Sequence, residues 1–172
     1  QYTVAEMLAD IEDSEETQEA FKFRLNLVEQ LWASASEQGL GEASGNLGSF
    51  LRLDKRYDEA LKVSHQGVKN GDSISALVLS HAFESGVQAD NLNFLDVSPD
   101  DERVKRYHMI SSYLSRYDYL QPKVPDLDEI LPLPPAKLPE WNGKIAFQRW
   151  YEGEAPPKPS EALMQKLANQ AG

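Results

Sequence analysis

Residues 34–51 read SASEQGLGEASGNLGSFL, and ten of the first sixteen are Gly, Ala or Ser. The apolar spacing on both sides is helical, although a Gly inside a helix costs about 1 kcal/mol relative to Ala. The small residues therefore need a structural reason. Gly39 and Gly41 predict a turn between two helices, whereas Ser36, Ala43 and Gly48 predict places at which neighbouring helices approach closely.

An internal repeat links this stretch to the part of the chain that follows. With an offset of 32 residues, each unit has a Gly, then a small residue four positions later, then a Leu eight positions later: Gly39, Ala43 and Leu47, followed by Gly71, Ser75 and Leu79. A second helix follows the first in each unit. A period in the thirties is typical of a helical solenoid.

Four further helix starts are predicted from capping residues: Thr3 in a capping box with Glu6, Ser14, Asp54, and Ser98 followed by Pro99. The second helix of the first unit is expected to stop at Gly71. The segment VQADNLNFLDV, residues 87–97, predicts a loop insertion within the second unit.

The composition changes after Tyr119, because nine of the ten prolines lie between Pro122 and Pro159. That density excludes a long helix. Apolar and aromatic residues are interleaved with the prolines, which a free flexible linker would rarely carry. We therefore expect an extended arm that packs onto the helices, with a short strand or turn at IAFQRW. Ser160 predicts the start of a last helix whose apolar side carries Leu163, Met164 and Leu167.

Three aromatic residues of this arm have two interpretations. Trp141, Trp150 and Tyr151 are of the type that anchors an interface or encloses a ligand. Such residues more often staple an arm to a core, and the staple is the favoured interpretation here.

Composition restricts the classes of partner. The formal net charge is −11, and no basic patch suited to nucleic acid is visible in the sequence. There are no cysteines, which excludes disulfides and thiolate ligands. No stretch approaches the roughly 20 apolar residues of a membrane span, so we expect no membrane insertion. A basic protein partner would be attracted by the negative charge.

No residue cluster in the sequence is typical of a catalytic site. The three histidines, His65, His81 and His108, lie on different predicted helices and form none of the usual metal-binding spacings. The acids Asp100 and Asp101 fit the first turn of a helix, where the helix dipole favours them. The stretch GLGEASG lacks the strand and the Lys-Ser/Thr pair of a phosphate loop. We expect no enzymatic activity, no cofactor and no metal.

The residues of the first unit resemble a known repeat. ASEQGLGEASGNLGSFLRLDKRYDEALKV, residues 35–63, resembles the Sel-one-like repeat, a relative of the tetratricopeptide repeat. The residues that match the pattern of that family are Ala35, Gly39, Ala43, Asn46, Leu47, Gly48, Phe50, Tyr57 and Ala60. The second unit, NGDSISALVLSHAFESG, departs from the pattern at Ser80, where the family places Gly. The helix over 18–38 resembles the second helix of an earlier repeat, so we expect the array to continue N-terminally in a longer parent.

The tail carries a second resemblance. VPDLDEILPLPPAKLPEWNGKIAFQRW and PPKPSEALMQKLA look like a C-terminal domain of unknown function that follows Sel-one-like repeats in Gram-negative bacteria. The expected fold is all-α: an αα-hairpin solenoid with a proline-rich, mostly irregular arm ending in a short helix. The expected division is repeats over 1–118 and arm over 119–172.

The resemblance implies a binding module. Sel-one-like proteins generally act as adaptors, and some bacterial members resemble immunity proteins against phospholipase effectors of the type VI secretion system in the periplasm. The first hypothesis is therefore an immunity protein that blocks a secreted effector enzyme. The alternative is an adaptor in an envelope or signalling complex that inhibits nothing. The expected compartment is the periplasm, with the cytoplasm as the alternative.

The candidate partner contacts follow from the expected concave side of the solenoid, on which first helices are usually presented. They are Asn46, Ser49, Arg52, His81 and Glu84, joined by the acidic residues Asp13, Glu15 and Glu16.

Overall fold

The computed structural model describes residues 1–11, 16–154 and 159–171, and within these ranges every regular element is helical. The predicted all-α class is confirmed. The α-helices are α1 (Tyr2–Ala9), α2 (Gln18–Glu37), α3 (Gly41–Leu53), α4 (Tyr57–Lys69), α5 (Ser73–Ala82), α6 (Asp101–Arg116), α7 (Leu127–Ile130), α8 (Ala146–Tyr151) and α9 (Glu161–Ala171). A single 3-10 turn, Asp118–Leu120, follows α6.

Helices α1 to α6 form a row of hairpins in which each helix packs against the next. Helices α3 and α5 also contact each other, so the first helices of successive hairpins lie side by side. They begin at Gly41 and Ser73, the same offset of 32 residues that separates the sequence repeats. The predicted helical-hairpin arrangement is confirmed.

The two turn glycines end equivalent helices with the same geometry. Gly39 and Gly71 both have φ of +90°, which lies in the left-handed region. In each turn two amide N–H groups donate back to the last helical carbonyls: Gly39 to Ser36 and Leu40 to Ala35, and Gly71 to Val68 and Asp72 to Gly67. This is a Schellman ending, which favours glycine because a side chain is strained at that φ. Gly41, predicted as a second turn residue, is instead the first residue of α3.

Small residues lie where α2, α3 and α4 meet. The hydroxyls of Ser36 and Ser44 are 2.7 Å apart in the interior, and the Asn70 amide donates to the Ser36 carbonyl at 2.9 Å. A Cβ added at Gly48 would lie 2.9 Å from the Ser64 hydroxyl. The close approach predicted at Ser36, Ala43 and Gly48 is therefore present, since Ala43 is also fully buried.

Three predicted helix starts are wrong. Thr3 lies inside α1, which begins at Tyr2 without a side-chain cap. Asp54 ends α3 rather than starting α4, whose N-cap is Arg56. Helix α6 is capped by Asp100 and not by Ser98; the Asp100 side chain accepts from the Arg103 N–H at 3.0 Å.

The fourth predicted start, Ser14, lies outside the described residues; α2 begins at Gln18, with Thr17 as its N-cap. The segment 87–97 lies in the irregular stretch between α5 and α6, as predicted.

The arm packs onto the helices, as predicted from its apolar content. Its buried apolar residues are Val124, Leu127, Ile130, Leu131 and Ile145. The Val124 N–H donates to the Lys69 carbonyl at 3.0 Å, and the Lys123 ammonium donates to the carbonyls of Gly39 at 2.7 Å and Asn70 at 2.6 Å. The arm is thereby attached to the C-terminal ends of α2 and α4.

Two buried arginines of α6 hold the rest of the arm. Arg103 donates to the carbonyls of Pro132 at 3.1 Å and Ala136 at 2.6 Å, while it also pairs with Asp100. Arg106 donates to the carbonyls of Ile130 at 2.7 Å and Pro139 at 2.8 Å. Because proline has no backbone N–H, a proline-rich segment has few donors for its own carbonyl groups. The two guanidinium groups supply those donors instead.

Of the predictions for the last two helices, the one for α8 is wrong and the one for α9 agrees with the structure. IAFQRW, predicted as a strand or turn, is mostly helix α8, which starts at Ala146. Its start is anchored by Asp126, whose carboxylate accepts from the Ala146 N–H at 2.9 Å and pairs with Arg149 at 3.0 Å. Helix α9 begins after Ser160 as predicted, and Leu163, Met164 and Leu167 all lie exposed on it.

Candidate protein-binding groove

A groove of about 210 Å³ lies on the face where α3 and α5 run side by side. Helix α1 closes one side of it. The lining residues are Tyr2, Glu42, Gly45, Asn46, Ser49, Arg52, Ser64, Asp72, Ile74, Ser75 and Val78. The groove combines apolar wall, hydroxyl groups and charges of both signs, which suits a segment of polypeptide better than a purely apolar ligand.

Arg52 is the unusual charge of the groove. It is partly buried in the last turn of α3, and within the described ranges its guanidinium has no ion pair or hydrogen bond. Burial lowers the pKa of Arg52 below its ordinary value. A partly desolvated cation without a carboxylate is unfavourable in the isolated protein, and an anionic group that enters the groove would compensate it.

The N-terminal helix is fixed against the groove by a half-buried carboxylate. Glu6 accepts from the indole N–H of Trp32 at 2.7 Å and from the Asn46 amide at 2.8 Å. The Leu8 carbonyl of the same helix accepts from Arg24 at 2.6 Å. These bonds place Tyr2 in the wall of the groove. Burial raises the pKa of the Tyr2 hydroxyl, and the carboxylates of Glu6 and Glu42 raise it further.

The opposite wall depends on the start of α5. The Asp72 side chain accepts from the N–H groups of Ile74 at 3.3 Å and Ser75 at 2.8 Å, which caps the helix. A Cβ at Gly45 would lie 3.1 Å from the Asp72 carboxylate. Close to this cap the Ser75 hydroxyl is buried and has no hydrogen-bond partner among the described residues.

The structure brings together three of the predicted contact residues. Asn46, Ser49 and Arg52 all line the groove, because their spacing puts them on one face of α3. The Asn46 amide is used internally by Glu6, so it is a structural member of the wall. Helical spacing places His81 on the same face of α5 as Ile74 and Val78, beyond the lining residues.

The remaining predicted contacts are apart from the groove lining. His81 Nδ1 lies 2.8 Å from Glu84 Oε1, so this exposed pair interacts within itself. Glu16 forms a bidentate pair with Arg24 at 2.6 and 3.0 Å, and that hydrogen bonding lowers the pKa of Glu16. Asp13 and Glu15 lie outside the described residues.

Sequence reasoning missed four important groove residues: Tyr2, Asp72, Ile74 and Val78. The sequence contained a signal for one of them, because Asp72 directly follows a turn glycine and precedes a helical stretch, the usual place of an N-cap. Tyr2 reaches the groove through contacts between residues about 40 positions apart, which no local pattern encodes.

The histidines are dispersed, and one of them is buried. His65 has its Nδ1 2.9 Å from the Tyr107 hydroxyl and its Nε2 2.8 Å from Asp128 Oδ1. Asp128 also pairs with Lys69 at 2.5 Å. Burial lowers the pKa of His65 although Asp128 opposes that shift, and burial raises the pKa of Tyr107. This cluster joins α4, α6 and α7 and has a structural role.

The aromatic residues of the arm have different environments. Trp141 packs against the Arg106 guanidinium, 5.6 Å from its ring centre, and donates to the Lys144 carbonyl. It acts as the staple that was expected. Trp150 is 71% exposed and Tyr151 45%, so Trp150 does not staple the arm. Both lie in an aromatic cluster with Phe147.

Two features of the described ranges bear on the type of site. They contain no group of three or more His, Asp or Glu side chains arranged to hold a metal ion. No described helix combines the length and the apolar character that crossing a bilayer requires.

The chain matches a described protein family. Residues 75–172 match a family model described as "Domain of unknown function (DUF6396)", and this region is more than half of the chain. The chain belongs to the DUF6396 family. The DUF6396 region begins within α5 and contains α6, the arm and α9, so it includes Ser75 and Val78 of the groove. The predicted division at residue 119 stays a prediction.

A solved structure supports the fold of this DUF6396 protein. It is described as "Pseudomonas aeruginosa 5086 (PA5086)" and is similar with a TM-score of 0.62 at 22% sequence identity. The match covers 78% of this chain and 46% of that one, so the chain spans less than half the length of this neighbour. At that identity the similarity shows the fold alone. No curated protein matches the sequence.

Proposed function

We propose that this protein is a protein-binding module and, more specifically, a bacterial immunity protein that inhibits a lipase-like effector of the type VI secretion system. The observation that carries the binding role is the groove between α1, α3 and α5 with its partly buried Arg52, which has no charged partner among the described residues. A cation in that state gains stabilisation from a partner's carboxylate.

The immunity role rests on the resemblance of residues 35–63 to Sel-one-like repeats and of the tail to the domain that follows them. The net charge of −11 supports it. An acidic surface accelerates association with a basic enzyme cleft, because opposite charges steer the encounter. Inhibition would be steric: the preformed hairpin surface would cover the entrance to the effector's active site. Under this proposal the protein acts in the periplasm and is itself no enzyme.

Co-expression tests this proposal directly. A lipase-like effector encoded beside this protein is produced in the periplasm of a test bacterium, with and without the protein. We expect growth to recover when both are present and the two proteins to elute together in size-exclusion chromatography. Persistent toxicity together with separate elution would contradict immunity for that pair. Pull-down from the native organism followed by mass spectrometry supplies candidate effectors.

A comparison of outcomes separates the immunity role from the adaptor role. An immunity protein should abolish lipase activity in a purified mixture at equimolar ratio. A partner that binds stably while its activity is unchanged would favour the adaptor.

A further inference from the structure

We propose that the groove binds an extended segment of a partner protein, with a carboxylate of that segment on Arg52, an apolar side chain against Ile74 and Val78, and a basic side chain near Glu42. This inference rests on the proposed protein-binding function and specifies the chemistry of its ligand.

The first step of the argument is the distribution of charge along α3. Glu42 lies in the first turn of this helix and Arg52 in the last. Ten residues of helix separate the two positions by about 15 Å, since the rise is about 1.5 Å per residue. The groove therefore has an acidic end and a basic end. An extended chain covers the same length with about five residues at roughly 3.3 Å each.

The second step concerns which of the charges are available. Asp72 is occupied in capping α5, whereas Arg52 has no partner in the part of the chain that the structure describes. The other two guanidinium groups of this region are satisfied: Arg56 pairs with Glu29 and Glu59, each at 2.7 Å, and Arg24 pairs with Glu16. The carboxylate of an incoming segment is thus directed to Arg52.

The third step is the apolar wall on the α5 side of the groove. Ile74 is 62% exposed although it lies in the first turn of α5, and Val78 is one helical turn further on. Both line the groove. An apolar side chain of the segment would remove them from water, which stabilises the complex in proportion to the area buried. A segment with an acidic side chain at one end and an apolar and a basic side chain toward the other complements this lining.

Defined peptides test the inference. Three blocked hexapeptides are titrated into the full chain labelled with ¹⁵N: DALVAK, its charge-reversed partner KALVAD, and the neutral QALVAN. The first two cover both directions of the segment. We expect at least one of them to bind about ten-fold more tightly than the neutral peptide. Amide shifts should be confined to Tyr2 and to residues 42–52 and 72–78, which line the groove.

Two charge-matched variants make the test specific. Arg52→Gln should reduce binding of the charged peptide to the level of QALVAN, while its folding is unaffected because Arg52 makes no hydrogen bond within the described ranges. Lys62→Gln removes the same charge from an exposed position of α4 and should leave binding unchanged. Circular dichroism and thermal melting verify that both variants are folded. Equal affinity for the three peptides, shifts outside the groove, or full binding by Arg52→Gln would overturn the inference.

The failure of this inference is distinguishable from the failure of the proposed function. If a cognate effector binds Arg52→Gln as tightly as the wild type, the groove is not the contact but the immunity role stands. If the charged peptides bind in an Arg52-dependent manner while no lipase-like effector is neutralised, the groove assignment stands and the immunity role falls.

Discussion

Between α2 and α5 the chain is held by close backbone approach, whereas residues 122–139 are held by long side chains that reach across from α6. In the first region, small residues such as Ser44 and Gly67 allow the helices to touch. In the second, Arg103 and Arg106 donate to four carbonyl groups of the arm. Packing of small residues repeats along a chain, but a guanidinium that binds carbonyls is specific to one place. Further hairpins could therefore pack in the same way, whereas the arm can bind only where Arg103 and Arg106 meet its carbonyl groups.

The largest effect is expected from Arg106→Ala. This change removes the donors for the Ile130 and Pro139 carbonyls and the contact with Trp141. A buried polar group left without a partner costs about 1–3 kcal/mol, so we expect a loss of about 4 kcal/mol in the free energy of unfolding. Urea denaturation measures it.

Arg116→Ala is the control for this change, because Arg116 is exposed on the same helix. It should alter stability by less than about 0.5 kcal/mol. Equal effects of the two substitutions would show that the guanidinium-to-carbonyl bonds do not hold the arm.

Gly71→Ala is expected to cost about 3 kcal/mol. Its φ of +90° strains any side chain by about 1–2 kcal/mol, and the new Cβ would lie 2.2 Å from the Pro122 carbonyl oxygen of the arm. Gly39→Ala is a matched control with the same φ and no atom within 4 Å of the added Cβ. The difference between the two variants in urea denaturation isolates the contribution of the arm contact. Equal losses of unfolding free energy in the two variants would mean that the arm moves away from the added methyl group at no cost.

Ala43→Leu tests the hairpin side of the comparison. Ala43 is fully buried in α3, so the larger side chain would overpack the interior, at a cost of about 2 kcal/mol. Thermal unfolding measures the loss. Met109→Leu is the control, since Met109 is partly exposed and the swap nearly conserves volume. A stable Ala43→Leu variant would contradict tight helix contact at this position.

The smallest expected effect is a pH dependence that arises from His65. Burial lowers the pKa of His65 in the folded chain below its value of about 6.5 in the unfolded one. The unfolded state therefore binds a proton first, so stability is complete above about pH 6.5 and declines as the pH falls below it. The groups that face this imidazole are Asp128, Lys69 and Tyr107. The pKa of Asp128 is lowered from its ordinary value, so Asp128 titrates at a lower pH than this interval.

Urea denaturation between pH 7.5 and 5.5 measures this dependence. His65→Gln should remove the decline with pH in that interval, whereas His108→Gln should retain it because His108 is exposed. A decline that persists in His65→Gln would assign it to another group.

The parts of the fold that the sequence predicted are local ones. Gly39 and Gly71 were identifiable because a left-handed residue at a helix end is a local requirement that favours glycine. The start of α6 was misplaced by two residues because Ser98 and Asp100 are both good caps. The Asp100 N–H donates to the Phe83 carbonyl at 2.9 Å, a long-range bond that accompanies the observed cap and that no local pattern contains.

The candidate site was likewise predicted only in its local part. Asn46, Ser49 and Arg52 were found together because helical spacing puts them on one face of α3. No local pattern indicates that Arg52 has no carboxylate partner among the described residues, since that depends on which acids the fold brings near. The arm-binding arginines were missed for the same reason: their acceptors lie 24 to 33 residues away along the chain.

Lys123 has a consequence for how many hairpins this fold accepts. Its ammonium group binds carbonyls at the ends of both α2 and α4, so those two carbonyl oxygens are no further apart than the two hydrogen bonds together allow. A hairpin inserted between α3 and α4 would separate them by a further helix spacing of about 8–10 Å, and one ammonium group could not bridge that distance. Hairpins added before α1 would leave the bridge intact. Lys123 therefore fixes the spacing between the ends of α2 and α4, and hairpins can be added before α1 without disturbing that spacing.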